Sequence, residues 1–453
     1  MNLISLAVRS RSRAFGAPDT ISLLLLALAL SGCGSATRVP APTAPGRPTP
    51  QDSVLEPATT DLGDITNLVV VALAPGTSAQ DLASQTGALV VRQTDTGYAT
   101  MQPVLGPASA LAATLRLDPR VRAADVDTYL MPAEERQQSQ AFDKGNGSPI
   151  AYQGQEAADN IGLALAHRLT EGQGTLIAVL DTGAELTHPA LAGHIVASQD
   201  FAGTSVDGHE QGDGIDNDGD GLIDEALGHG THVAGIAALV APRAGLLIGR
   251  VLDADGRGDI FSIVSGIAWA TANGAQVINM SFGMLESSTV LEYALAQADS
   301  LGAVCVAAAG NEGAQGQIEY PGSSSHVIAV AAVDDADLAA GFTSAGPGVA
   351  ISAPGVSIRS AFLGGTYALW SGTSMAAPFV SGTAGLLRAL HPGWRRDAVV
   401  ARLGSTVRSL ASANPALWPG LGVGGLDAGE AVNRDAPWVI RGAPGGRDDG
   451  HTP

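Results

Sequence analysis

The chain has 453 residues, 45% hydrophobic and 15% charged, which supplies a sizeable core and excludes wholesale disorder. Lys and Arg number 24 against 44 Asp and Glu, and the resulting net charge of −20 argues against general nucleic-acid binding and for a soluble enzyme or a cation binder. Two Cys residues exclude a disulfide scaffold, and 58 Gly without a Gly-x-x period predict tight turns and close backbone approaches, not collagen.

Residues 1–33 read as a targeting segment. Arg9, Arg11 and Arg13 form a basic start, followed over 21–30 by an apolar run too short for a bilayer, which needs about 20 residues. The run closes on Leu30-Ser31-Gly32-Cys33, which resembles the lipobox of bacterial lipoproteins. That resemblance implies lipidation of Cys33, export to the cell envelope and attachment to a membrane through acyl chains. Gly34 is not the Asp of an inner-membrane retention signal, so an outer-membrane or cell-surface address is expected. Residues 34–64 hold Pro40, Pro42, Pro45, Pro48, Pro50 and Pro57 and read as an extended tether. At the other end, 433–453 is rich in Gly, Arg, Asp and Pro and reads as a flexible tail.

Residues 65–131 form a first folding unit. An apolar strand over 68–73 stops at Pro75-Gly76; a helix follows over 78–88 with Ser78 as N-cap; strands follow at 89–91 and 98–101, a helix at 108–117 and a strand at 121–130. This is the β-α-β-β-α-β order of a small ferredoxin-like α+β unit, which by itself carries no function. A polar linker is expected over 132–156. From 157 to 432 the pattern changes to short continuous apolar strands (176–180, 246–251, 277–280, 304–308, 327–333) alternating with helices such as 262–272 and 289–301. Such alternation predicts an α/β fold with a parallel central sheet flanked by helices. Ligands of these sheets sit outside the carboxyl ends of the strands, which is where chemistry is sought.

Asp181 follows the strand at 176–180 directly. His229 stands between two glycines in Gly228-His229-Gly230-Thr231-His232, at the entry to an apolar helix. A zinc reading of the two His residues fails, because their spacing is three and no Glu lies between them. His232 reads as structural. Ser374, in Gly372-Thr373-Ser374-Met375-Ala376-Ala377-Pro378, opens another apolar helix, whose positive end favours developing negative charge. Each residue alone has an ordinary explanation, as a turn Asp, a buried His or a helix cap. Together an acid, a base and a hydroxyl at the mouth of one sheet fit the logic of nucleophilic catalysis. The Gly-x-Ser-x-Gly elbow of α/β-hydrolases is missing, since Ala376 stands where its second Gly would be.

The order Asp, His, Ser and the surrounding motifs resemble the subtilisin-like serine proteases, or subtilases, almost throughout 160–430. The matching stretches are Val179-Leu180-Asp181-Thr182-Gly183, His188-Pro189, 228–235, Asn279-Met280-Ser281-Phe282-Gly283, Ala307-Ala308-Ala309-Gly310-Asn311, Tyr320-Pro321, Ala353-Pro354-Gly355 and 372–378. One departure is Phe379, where many members have His. The resemblance implies a serine endopeptidase acting on polypeptides. Ser374 would be its nucleophile, His229 the base, Asp181 the residue orienting that base, and Asn311 an oxyanion donor beside the Ser374 N–H. It further implies that Ser281, Phe282 and Gly283, with Ala308, Ala309 and Gly310, pair with an extended substrate through backbone. Glu319 falls near the base of the primary specificity pocket, where a carboxylate would favour Lys or Arg. By the same resemblance, 65–131 is a pro-segment that assists folding and blocks the cleft, processed within 132–156. A catalytically silent binding protein on the same scaffold is the alternative from another class.

The last motif is acidic. With Asp216 as position 1, Asp218 and Asp220 fall at 3 and 5, Gly221 at 6, the Leu222 carbonyl at 7 and Asp224 at 9, the start of an EF-hand calcium loop. Position 12 is Leu227 in place of the bidentate Glu. A Ca²⁺ ion is expected there, just upstream of His229. Cys305 lies on an apolar strand and is expected to be buried and unpaired.

Overall fold

The structure is a computed structural model describing residues 67–136, 139–203, 207–313 and 316–434. Cys33, the tether and nearly all of the expected tail lie outside the described residues.

The first unit comprises β1 (Val69–Leu73), α1 (Ala79–Thr86), β2 (Ala88–Gln93), β3 (Tyr98–Pro103), α2 (Ala108–Leu115) and β4 (Val121–Val126). Its antiparallel sheet has the order β2-β3-β1-β4, the expected ferredoxin-like arrangement. Ser78 caps α1 through the Asp81 N–H. The alternation of a strand sends successive side chains to opposite faces. Val69, Val71, Ala99 and Met101 pack under α1 and α2, whereas Val70, Ala72, Tyr98 and Ala123 turn the other way, into the core of the larger unit.

That larger unit is built on a seven-stranded sheet. Its strands are β6 (Leu176–Asp181), β7 (Ile195–Asp200), β8 (Gly245–Arg250), β10 (Val277–Met280), β11 (Val304–Ala308), β12 (Val327–Val333) and β13 (Val349–Pro354), in the order β13-β12-β11-β10-β6-β8-β7 and parallel throughout. Two short strands, β5 (Tyr129–Leu130) and β9 (Gly258–Asp259), pair antiparallel, and β14 (Ile358–Phe362) with β15 (Thr366–Trp370) forms a hairpin. A four-residue helix, α3 (Ala133–Arg136), and three short helices, α4 (Pro149–Gln153), α5 (Glu156–Asn160) and α6 (Leu163–Ala166), precede the sheet. Helices α7 (His229–Val240) and α10 (Thr373–Leu390) cover one face, while α8 (Ile260–Ala272) and α9 (Thr289–Ser300) cover the other; α11 (Arg396–Gly404) and α12 (Ala428–Asn433) close the described chain.

The central strand β6 is buried on both sides. Ile177 and Val179 join the α7–α10 core, and Ala178 and Leu180 join the α8–α9 core. Full burial of each large aliphatic side chain contributes roughly 1.5–3 kcal/mol, which fixes the register of β6 and therefore where Asp181 emerges. The chain passes from β6 to β7 and β8 on one side and returns to β10 on the other, so the end of β6 is the switch point of the sheet.

The first unit docks on α8 and α9. The Asp125 carboxylate accepts from Ser288 Oγ (2.9 Å), Thr289 Oγ1 (2.9 Å) and the Val290 N–H (2.9 Å), so it satisfies donors at the start of α9. The Arg92 guanidinium lies 4.4 Å from the Phe261 ring centroid and pairs with Asp259. Asp127 is buried beside Arg92, and burial, with the nearby Asp259 charge, pushes its carboxyl up to about 8.

The single strand expected over 121–130 is divided. At Asp127 the backbone N–H bonds to the Leu68 carbonyl, and the chain then leaves the first sheet, so that Tyr129 and Leu130 pair with Asp259 and Gly258 of the larger unit. Residues 132–156, expected as a polar linker, begin buried: Ala133 and Glu134 are fully inaccessible. Further along, Phe142 exchanges backbone hydrogen bonds with Leu369 of β15 (2.8 and 2.9 Å).

Candidate active site

Asp181 ends β6 and is held by its own turn. Its Oδ1 accepts from the Thr182 N–H (2.8 Å) and from His229 Nδ1 (2.7 Å). His229 is the first residue of α7. Gly228 before it has a φ of 99°, and a Cβ on Gly230 after it would collide with the Gly183 carbonyl. Glycine at 230 is therefore what lets the helix start approach the turn after Asp181 closely enough for that hydrogen bond.

Glu210, absent from the sequence-level candidates, ties the same two segments together. Its buried carboxylate accepts from the Gly228 N–H (2.8 Å), the Thr231 N–H (3.1 Å) and the hydroxyls of Thr182 and Thr231. Burial raises its pKa despite these donors. No local pattern in the Gly-rich stretch around it distinguishes it from a solvated Glu.

Ser374 is the second residue of α10. Its Oγ lies 3.1 Å from the Ser281 carbonyl, and Ser281 Oγ donates to the Ser374 carbonyl (2.9 Å), which locks the helix start against the end of β10. Asn311 follows β11. Its Oδ1 accepts from the Thr373 N–H (3.0 Å) and hydroxyl (2.9 Å), so the amide is fixed with Nδ2 pointing at the centre.

All of these groups surround a carboxylate that the sequence did not announce, that of Glu134 on α3. Its Oε1 accepts from Asn311 Nδ2 (2.9 Å) and the Ser374 N–H (3.3 Å). Its Oε2 accepts from Ser374 Oγ (2.6 Å) and lies 3.7 Å from His229 Nε2. Burial opposes ionisation of Glu134, but the His229, Ser374 and Asn311 donors outweigh it and hold the carboxyl below its ordinary range. Burial likewise disfavours charged His229, and Asp181 followed by Glu134 overcomes it, leaving the imidazole well above its usual pKa. Trp370 packs edge-on against His229 with centroids 5.2 Å apart. His232, expected as structural, is buried with Nε2 3.1 Å from the Ile358 carbonyl, and burial pushes its pKa down to about 3.

Among the expected peptide-pairing residues, Gly283 carries a strand of this same chain. Its N–H and carbonyl bond to the carbonyl (2.9 Å) and N–H (3.2 Å) of Met131. The Phe282 side chain is in the core, so only its backbone faces the cleft. The 308–310 segment is tied internally, with the Ala309 carbonyl accepting from the Glu319 N–H (2.9 Å) and the Gly310 N–H donating to Thr373 Oγ1 (3.2 Å). Glu319 is buried, and its side chain fills the space that a Cβ on Gly283 or Gly310 would need. It thus stands between the two expected binding segments.

In the acidic loop, oxygens of Asp216, Asp218 and Asp220 lie within 4.8 Å of one another. Asp216 also accepts from the Gly219 (2.6 Å) and Gly221 (3.0 Å) N–H groups. Asp224, expected in the same ligand set, is turned away from it: its Oδ1 accepts from the Asp213 N–H (2.9 Å) and its Oδ2 from the Gly214 N–H (3.1 Å). Asp224 itself sits at a φ of 54°. Three clustered carboxylates are an all-oxygen donor set, which suits a hard cation. Cys305 is buried and unpaired, and burial pushes its thiol up to about 12.

The seven-stranded parallel sheet flanked by helices is a subtilisin-like fold. Residues 172–424 match the subtilase family, so the chain belongs to that family and is a serine endopeptidase by class. It is 40% identical over 270 residues to a thermostable alkaline protease of Halalkalibacterium halodurans, a match spanning 58% of this chain and 68% of that one. It is 42% identical over 267 residues to subtilisin BL of Lederbergia lenta, covering 57% of this chain and 90% of the relative. Among solved structures, fervidolysin of Fervidobacterium pennivorans, a keratinolytic enzyme related to subtilisin, superposes with a TM-score of 0.65 at 24% identity. That match covers 82% of this chain and 61% of the other, and at this identity it bears on the fold alone. Among the described residues no helix is long and apolar enough to cross a membrane.

Proposed function

We propose that the protein cuts polypeptides by an Asp181–His229–Ser374 triad and is made as a self-inhibited precursor. The observation that carries this reading is the convergence of Asn311 Nδ2, the Ser374 N–H and Ser374 Oγ on one carboxylate, beside a His229 already bonded to Asp181 at 2.7 Å. Ser374 Oγ attacks the scissile carbonyl while His229 Nε2 takes its proton. His229 then delivers that proton to the leaving amine, and water completes the cycle by hydrolysing the acyl-enzyme. Asp181 holds the imidazole tautomer. The Asn311 amide and the Ser374 N–H receive the negative oxygen of the tetrahedral intermediate, which is where such donors are most effective.

Residues 65–131 act as a pro-segment: their last residues, Leu130 and Met131, pair with Gly258 and Gly283, and Gly283 belongs to a segment expected to pair with an extended substrate. Cys33 carries the lipid anchor, so the precursor is attached to the cell envelope. A Ca²⁺ ion held by Asp216, Asp218 and Asp220, with the Leu222 carbonyl expected from the loop pattern, neutralises the cluster and orders the approach to His229. Chelation is expected to lower the midpoint of thermal unfolding; a midpoint unchanged by chelator removes the ion from this account.

Glu319 gives the enzyme a preference for Lys or Arg on the acyl side of the cut bond. A buried carboxylate between the substrate-pairing segments offers a cationic side chain a charge-assisted hydrogen bond. A cleavage profile over a mixed peptide library tests both activity and preference. Cleavage enriched in basic residues is expected, and enrichment should disappear in Glu319→Gln. An unbiased profile removes the role of Glu319, and no cleavage by the processed enzyme removes the function.

A further inference from the structure

We propose that the hydrolytic centre is also a carboxylate-binding site whose resident ligand is the Glu134 side chain, and that the uncut chain is held inactive by this carboxylate. This rests on the roles given above to Ser374, His229 and Asn311. The incoming strand is substrate-like only as far as Met131, which pairs with Gly283. Antiparallel pairing continued from Met131 and Gly283 would set Ala133 opposite Ser281, whose carbonyl lies 3.1 Å from Ser374 Oγ. Instead the chain turns into α3. The Glu135 N–H bonds back to the Pro132 carbonyl (3.2 Å), and the Glu134 carbonyl accepts from the Ser139 N–H (2.8 Å). Backbone is thereby withdrawn from the centre and a side chain replaces it.

The replacement blocks catalysis in two ways. One carboxylate oxygen occupies both oxyanion donors, and the other accepts the hydroxyl proton of Ser374, so the nucleophile is engaged and the hole is filled. The same negative charge, 3.7 Å from His229 Nε2, adds to that of Asp181 in favouring the imidazolium, which cannot act as a general base. Glu134 is fully buried, and a Cβ on Gly372 would overlap it, so the groove fits this side chain closely. Processing then requires α3 to unwind and Glu134 to leave before a peptide bond near 133–134 can enter.

The test is the rate at which a fluorophosphonate labels Ser374 in the full-length precursor before processing. Glu134→Ala and Glu134→Gln are expected to label faster than the wild-type precursor, by about tenfold or more for loss of charge-assisted hydrogen bonds. Glu135→Gln is expected to behave as wild type. Acetate should slow labelling of Glu134→Ala by refilling the vacated space and leave the wild type unaffected. Glu134 variants that melt like the wild type yet label at its rate overturn the inference, as does an acetate-insensitive Glu134→Ala. The isosteric Gln variant keeps the test valid if the Ala variant folds poorly. Labelling of the processed enzyme separates the two ideas: without it the triad reading fails, and with it a failure belongs to Glu134 alone.

Discussion

Replacing Ser374 or His229 by Ala is expected to lower kcat for peptide hydrolysis by about 10⁴–10⁶-fold, with a folded protein in each case. In the proposed mechanism the two residues act as one device: Ser374 is a weak nucleophile until His229 Nε2 takes its proton. The double variant should therefore lose little more than either single one, a non-additivity that independent contributions would not produce. Both variants should also leave the precursor uncut if processing is self-catalysed. Steady-state kinetics on a peptide substrate, with the thermal midpoint measured on the same samples, checks this. A Ser374→Ala enzyme within tenfold of wild type would mean that another group attacks the substrate.

The second large effect is expected at Asn311. In the proposed mechanism its Nδ2 serves the point where negative charge develops, and Asn311→Ala should cost about 10²–10³ in kcat, roughly 2.7–4 kcal/mol, with KM nearly unchanged. The KM prediction follows because the donor serves the tetrahedral oxygen and not the ground-state carbonyl. The residue also has a structural task, since its Oδ1 accepts both donors of Thr373. Loss of that acceptor leaves buried groups unpaired at about 1–3 kcal/mol each, so the thermal midpoint should fall as well. Kinetics measured well below that midpoint isolates the catalytic part. A change in KM with kcat preserved would assign Asn311 to substrate binding.

The strands of the large sheet were legible because a parallel sheet covered on both faces demands short, continuous apolar runs, and those at 277–280, 304–308 and 327–333 coincide with β10, β11 and β12. The edge strands β7 and β13 were not legible. Ile195–Asp200 is half-exposed and mixed in character, and Val349–Pro354 ends in a residue that central strands avoid. The β14–β15 hairpin has a local signal in Gly364-Gly365. Asp181, His229 and Ser374 could be singled out because each stands at a strand end or a helix start, the positions where open α/β sheets keep their chemistry. Their meeting, however, depends on strand order, which local sequence does not encode. Glu134 and Glu210 were out of reach for the same reason: each has an ordinary sequence neighbourhood, and only the tertiary path places the carboxylate among buried donors. Asp224 shows the converse, a residue that fits a loop pattern by spacing but turns to nearer N–H groups.

The proposed catalysis requires one hydroxyl to be made nucleophilic by one imidazole. The direct measurement is to treat the processed enzyme with a fluorophosphonate and locate the adduct by peptide mass spectrometry. A single adduct on the peptide containing Ser374, lost in His229→Ala, is the predicted result. An adduct elsewhere, or labelling of Ser374 that persists undiminished without His229, would contradict it.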